Sequence, residues 1–108
     1  MDLHHLAEER SIAYHRVIAA RILENPSILE RARARVRTWL ATTIPPPPYA
    51  RAWEVILSRP QPEILAFLVD AGARARELRQ STPFAGVLAP RERLAIWRAV
   101  RARADGAS

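Results

Sequence analysis

The sequence predicts an all-α protein, a compact bundle of about six short helices with a polyproline spacer after the second helix. Twenty alanines and seventeen arginines, both strong helix formers, are spread along the 108 residues, and only three glycines interrupt them. Apolar residues recur mostly at spacings of three and four, which is the period of a helix with one buried face. These two observations favour helices over strands throughout the chain.

The first predicted helix runs from about residue 3 to residue 23, with Asp2 as its N-cap. Asn25-Pro26 ends it, because the residue before a proline is disfavoured in the α region. Its apolar face consists of Leu3, Leu6, Tyr14, Val17, Ile18 and Ile22.

The second helix is predicted from Ser27 to about Ala41. Ser27 and Glu30 have the spacing of a capping box, in which each side chain bonds an orphan backbone amide. One face carries Leu29, Ala32, Val36, Trp39 and Leu40. Four prolines, Pro45 to Pro48, then predict a rigid extended spacer of about 12 Å.

Four shorter helices are predicted after the spacer. The third ends at Arg59-Pro60, and Pro62 suits the first turn of the fourth. A turn at Asp70 and Gly72 precedes a short fifth helix, and Pro90 opens the last one. The loop before Pro90 is expected to plug the core, because its apolar residues would otherwise form an exposed patch. These residues are Phe84, Val87 and Leu88.

Length and composition limit the class of protein. One helical domain over residues 1–104 is predicted, with a frayed tail over 105–108. No apolar run approaches the roughly 20 residues of a membrane span, and the N-terminus lacks the order of a secretory signal. Because the chain has no cysteine, a reducing cytoplasm is the expected compartment.

No cofactor or metal site is predicted from the three histidines, which all lie on the first helix. His4 and His15 are separated by roughly 16 Å along a helix, too far for a single metal to bridge. His4 and Glu8 instead have the spacing of a surface pair. Ser11 and His15 lack the strained turn and oxyanion hole that a hydrolase requires.

Arg10 and His15 give one catalytic alternative. An arginine five residues before a histidine resembles the Arg-x4-6-His signature of the HEPN superfamily, all-helical proteins that include dimeric ribonucleases. The resemblance implies that Arg10 would hold phosphate and that His15 would serve in RNA cleavage. The motif stands on the first helix here, whereas it lies late in the bundle of that family.

The formal charge of +6 favours acidic partners, and all the basic residues are arginines. Arginine suits interfacial ion pairs, although a GC-rich genome would also enrich arginine, alanine and proline together. A DNA-binding regulator is therefore one alternative and a solvated arginine–glutamate surface another. A helix-turn-helix around Gly72 matches poorly, since Leu68 and Ser81 stand where small and apolar residues are expected.

Two stretches, residues 11–16 and residues 78–93, resemble small bacterial proteins of toxin–antitoxin-type gene pairs, in particular the antitoxin-like member. The resemblance implies a non-enzymatic protein that binds and restrains a protein partner, a toxin encoded nearby. Arginines and aromatic residues would form the contact, since tryptophan and arginine are typical interface anchors. The predicted partner contacts are Arg79, Phe84, Arg91, Arg93, Trp97, Trp39 and Trp53.

Overall fold

The computed structural model describes residues 3–106 and confirms the all-α fold with six helices in that range. The helices are α1 (Leu3–Glu24), α2 (Ser27–Thr42), α3 (Pro48–Leu57), α4 (Gln61–Leu68), α5 (Ala73–Arg79) and α6 (Pro90–Gly106). None of them is long and apolar enough to cross a membrane.

The start of α2 differs from the predicted capping box. Pro26 already has helical backbone angles, so that Ser27 lies inside the first turn and cannot act as the N-cap. Asn25 takes that place: its Oδ1 accepts hydrogen bonds from the Ser27 amide at 3.3 Å and from the Ser27 hydroxyl at 2.5 Å. Glu30 pairs with Arg33 in place of a backbone amide. The capping-box prediction is therefore wrong.

The two ends of the chain also bear on the predictions. α6 continues through Gly106, so that residues 105 and 106, predicted to be frayed, are helical. Residues 107 and 108 lie outside the described residues, as does the predicted N-cap Asp2.

The polyproline segment is shorter than predicted, because its last member, Pro48, is the first residue of α3. Proline fits there because it has no amide hydrogen that the first turn would leave unbonded. The segment folds α3 back onto α2. Across this turn the rings of Trp39 and Tyr49 meet edge to face, with centroids 5.3 Å apart.

The main core is centred on Trp53, which is fully buried. Its indole Nε1 donates a hydrogen bond to the Leu78 carbonyl oxygen at 3.2 Å, so the one polar atom of the ring is satisfied. Phe84 packs edge-on against the Trp53 ring, with centroids 6.2 Å apart, and Leu88 is buried nearby. The prediction that the loop before α6 plugs the core is confirmed.

The last helix, α6, packs mainly on α1 and runs antiparallel to it. At one end Arg21 of α1 pairs with Glu92 of α6. At the other end Leu6, Ala13 and Val100 form a small cluster of their own. The molecule thus has a large core built by several helices and a smaller one at the α1/α6 contact.

Candidate functional site

The α1/α6 contact holds a tryptophan between two arginines. Trp97 is partly buried, and the guanidinium carbon of Arg10, which comes from α1, lies 5.1 Å from its ring centroid. Arg101, one helical turn after Trp97, lies 5.6 Å from the same ring. Both distances are within the roughly 6 Å of a cation–π interaction. The indole is therefore fixed in place with part of its surface open to solvent.

Further residues extend this surface along α6. Arg91, Leu94, Arg98 and Arg101 follow one another at spacings of three, four and three, and therefore lie on one side of the helix. Leu94 is 45% exposed. The side chains of Arg91 and Arg98 are exposed and have no ion pair within residues 3–106. We name the surface formed by Arg10, Arg91, Leu94, Trp97, Arg98 and Arg101 the α6 face.

Three of the seven predicted partner contacts are buried within this chain. Trp53 is 0%, Phe84 1% and Arg79 3% exposed, so that none of them belongs to the outer surface of the folded chain. Their role as contacts stays a prediction, and in the folded bundle the two aromatic rings lie in the core while Arg79 bonds backbone oxygens. Of the three tryptophans, Trp39 and Trp97 are only partly buried.

The remaining predicted contacts lie in different places. Arg91 and Trp97 belong to the α6 face, whereas Arg93 is half-buried and donates a hydrogen bond to the Leu88 carbonyl at 3.4 Å. Trp39 lies across the molecule beside Tyr49. The seven residues therefore do not form one surface.

His15 is a buried structural histidine. Its Nδ1 lies 2.7 Å from the Ser11 carbonyl oxygen, and its Nε2 lies 2.9 Å from the Thr82 hydroxyl. Because a carbonyl can only accept, Nδ1 carries the proton and Nε2 accepts from Thr82. Burial lowers the pKa of His15 to about 4, against the raising effect of the Ser11 bond, and the charge of Arg79 lowers it further. The ring is neutral at pH 7, with both nitrogens occupied.

Arg10 and His15, the pair of the ribonuclease alternative, each already contact other groups of the chain. The Arg10 guanidinium lies over Trp97, while both nitrogens of His15 are already bonded. Ser11 contacts His15 through its backbone oxygen, and not through its hydroxyl. The predicted surface pair of His4 and Glu8 is present at 3.0 Å. No group of three metal-ligating side chains occurs within residues 3–106.

Sequence reasoning missed Arg10 and Arg101 as neighbours of Trp97. The contact with Arg101 could have been predicted, since a residue four positions after a helical tryptophan lies beside its ring. Arg10 was not, because its contact depends on how α1 and α6 pair, and no local pattern encodes that pairing. No protein-family model, curated protein or solved structure matches this chain.

Proposed function

We propose that this protein is a non-enzymatic interaction protein, antitoxin-like, which binds and restrains a partner protein through its α6 face. The observation that carries the proposal is the partly exposed Trp97, whose ring is contacted by both Arg10 and Arg101. The exposed Arg91 and Arg98 on the same side of α6 supply charges that no acid of residues 3–106 neutralises.

The chemistry of the α6 face suits a protein partner. Tryptophan and arginine dominate the energetics of protein interfaces, and a ring already held in one position loses little entropy on binding. The exposed Leu94 adds apolar area, and Ala95 and Ala102 on the same side allow a partner backbone to approach closely. The arginines would pair with acidic side chains, which sets orientation and speeds association.

The resemblance of residues 11–16 and 78–93 to members of toxin–antitoxin gene pairs supports a toxin as the partner. The absence of cysteine is in keeping with a complex formed in the reducing cytoplasm. Binding to DNA is the competing proposal, since unpaired arginines also attract phosphates. The apolar Leu94 and the alanines are less suited to a phosphate backbone than to a protein surface.

The test is co-expression with the protein encoded by the neighbouring gene. We expect the wild-type chain to restore growth and to purify as a complex with that protein. Trp97→Ala and Arg98→Glu should each weaken the complex at least about tenfold, because each removes or reverses an interface anchor. Arg59→Glu is the matched control: Arg59 is equally exposed and without an ion pair, but follows α3, far along the chain from α6.

Failure to restore growth, with no complex recovered, would count against the proposal. So would a complex that Arg59→Glu weakens as much as Arg98→Glu, since general charge would then explain binding. A titration against duplex DNA tests the competing proposal of DNA binding. Binding to one duplex over random sequence, lost in Arg98→Glu, would replace the protein partner with DNA.

A further inference from the structure

A second surface, between α1 and α5, forms a cleft of about 370 Å³. We name it the α1/α5 cleft. It combines three arginines with neutral hydrogen-bonding side chains, a mixture typical of sites for anions. The wall residues that matter here are Arg10, Ser11, Arg76, Arg79, Gln80 and Thr82.

Arg79 is the most unusual group in this wall, because a guanidinium is rarely so deeply buried. Its Nη1 donates hydrogen bonds to the backbone oxygens of Leu68, at 3.3 Å, and Asp70, at 2.7 Å. These oxygens lie at the end of α4, so that this part of the guanidinium caps the helix. Its Nε is buried and has no hydrogen-bond partner in residues 3–106. Capping of α4 therefore accounts for the bonds of Arg79 Nη1 and not for the burial of Nε.

The acids near Arg79 are engaged elsewhere. Both carboxylate oxygens of Glu8 are occupied, one by His4 at 3.0 Å and the other by Arg76 at 2.9 Å. The Asp70 carboxylate accepts the Gly72 amide at 2.9 Å. No carboxylate within residues 3–106 forms a salt bridge with Arg79. A buried cation without a bonded anion is costly, and an entering anion would relieve that cost.

Glu8 also lines the cleft but is paired with Arg76, and the other wall residues do not repel an anion. His15 is neutral at pH 7, and its Nε2 is already occupied by the Thr82 hydroxyl. Ser11 and Gln80 provide neutral side chains that can donate hydrogen bonds. The Glu8 charge is balanced by Arg76, which leaves Arg10 and Arg79 as the excess positive groups of the cleft.

We propose that the α1/α5 cleft is an oxyanion site, in which a phosphate or carboxylate group accepts hydrogen bonds from Arg79 and Arg76. Such a group would offset the charge of the buried guanidinium. The oxyanion could belong to a small phosphorylated molecule or to an acidic side chain of a partner protein. The cleft shares Arg10 with the α6 face, but the proposal uses no residue of α6.

The experiment is a titration of the folded chain with inorganic phosphate at constant ionic strength, followed by NMR of the arginine Nε–H signals. In the wild type, the Arg79 signal should shift and saturate. Arg76→Gln should weaken phosphate binding about tenfold, because it removes one charge-assisted hydrogen bond. Arg74→Gln is the matched control, since Arg74 is an exposed arginine on the same helix that does not line the cleft.

A parallel titration with a blocked glutamate distinguishes the two sources of the anion. Tighter binding of phosphate would indicate a phosphorylated ligand, and tighter binding of the glutamate an acidic side chain; either result supports the site. An Arg79 signal that does not move with either probe would overturn the proposal. Equal weakening by Arg74→Gln and Arg76→Gln would also overturn it, because the anion would then be sensing overall charge. Arg98→Glu should leave phosphate binding unchanged, which separates this test from that of the α6 face.

Discussion

Trp53 and Trp97 are the same residue type on two amphipathic helices, and their surroundings are opposite. Trp53 is enclosed by the main core, and its Nε1 is bonded to a backbone oxygen. Trp97 lies at the edge, where α6 meets little besides α1, and its ring is held by two guanidinium groups. In this chain the number of neighbouring helices, and not the residue type, decides whether a tryptophan ring is enclosed or left partly exposed.

The contacts that anchor the loop before α6 and the ion pair that ties α6 to α1 also differ in burial. Phe84, Leu88 and the bond between His15 and Thr82 anchor the loop before α6 to buried groups. The ion pair of Arg21 and Glu92, which ties α6 to α1, is partly exposed. Exposed ion pairs contribute little to stability, whereas buried apolar groups contribute much more.

The largest expected effect comes from Trp53→Ala, which removes the centre of the main core. We expect the free energy of unfolding to fall by about 3–5 kcal/mol, because a large cavity remains. Urea denaturation followed by circular dichroism measures it. If the variant does not fold, Trp53→Phe gives a milder comparison that removes only the bond to Leu78 and part of the ring. If Trp53→Ala lowers the free energy of unfolding no more than Trp97→Ala does, the distinction between the main core and the α1/α6 contact does not hold.

The next largest effect is a pH dependence of stability that arises from the buried His15. Burial lowers the pKa of His15 in the fold to about 4, against 6.5 for an unperturbed histidine. The unfolded chain therefore gains a proton between pH 6.5 and 4 that the folded chain does not, so stability is fully present above pH 6.5 and falls as the pH falls toward 4. At about 1.4 kcal/mol per pKa unit, the loss is about 3 kcal/mol.

His15→Gln isolates this contribution, because the carboxylates that also titrate in this range are common to both proteins. Urea denaturation at a series of pH values should give a steeper decline for the wild type than for the variant. Identical slopes would mean that His15 has the same pKa in the folded chain as in the unfolded chain, so that burial does not lower it.

A smaller loss is expected for Trp97→Ala, about 1–2 kcal/mol. The substitution removes two cation–π contacts, each about 0.5 kcal/mol at this exposure, and the burial of part of the ring, which contributes up to about 1 kcal/mol more. Denaturation under the same conditions as for Trp53→Ala sharpens the comparison. A loss equal to that of Trp53→Ala would show that the ring is a core element and would weaken its proposed role in binding.

The smallest effect concerns the ion pair at the other end of α6. Glu92→Gln should lower stability by about 0.5–1 kcal/mol, because it weakens the bonds of Glu92 to Arg21 and to the Ala89 amide. Added salt should reduce this difference. Glu54→Gln is the control, since Glu54 pairs with Arg51 at 3.9 Å within one exposed helix. Its effect should be smaller than that of Glu92→Gln.

The helices and the core-plugging loop could be predicted because their signals are local. Pro26, Pro60 and Pro90 lie at helix boundaries, and the apolar spacing gives each helix a buried face. The loop residues Phe84 and Leu88 could be assigned to the core, because exposing such side chains together is unfavourable.

The site could be predicted only in part, because it depends on which helices meet. Arginine is ordinarily exposed, so that nothing in the sequence marks Arg79 as buried or places it beside the end of α4. The contact of Arg10 with Trp97 joins residues that are distant in the chain. The capping box failed for a local reason, since Pro26 itself adopts the helical conformation and shifts the helix start.

The packing of α6 mainly on α1 has a consequence for local unfolding. Detachment of α6 would uncover Leu6, Ala13 and Val100 but leave the enclosure of Trp53 largely intact. The backbone amides of α6 should therefore exchange with deuterium through a local opening of low free energy. The amides of α3 and α4 should exchange only when the whole chain unfolds.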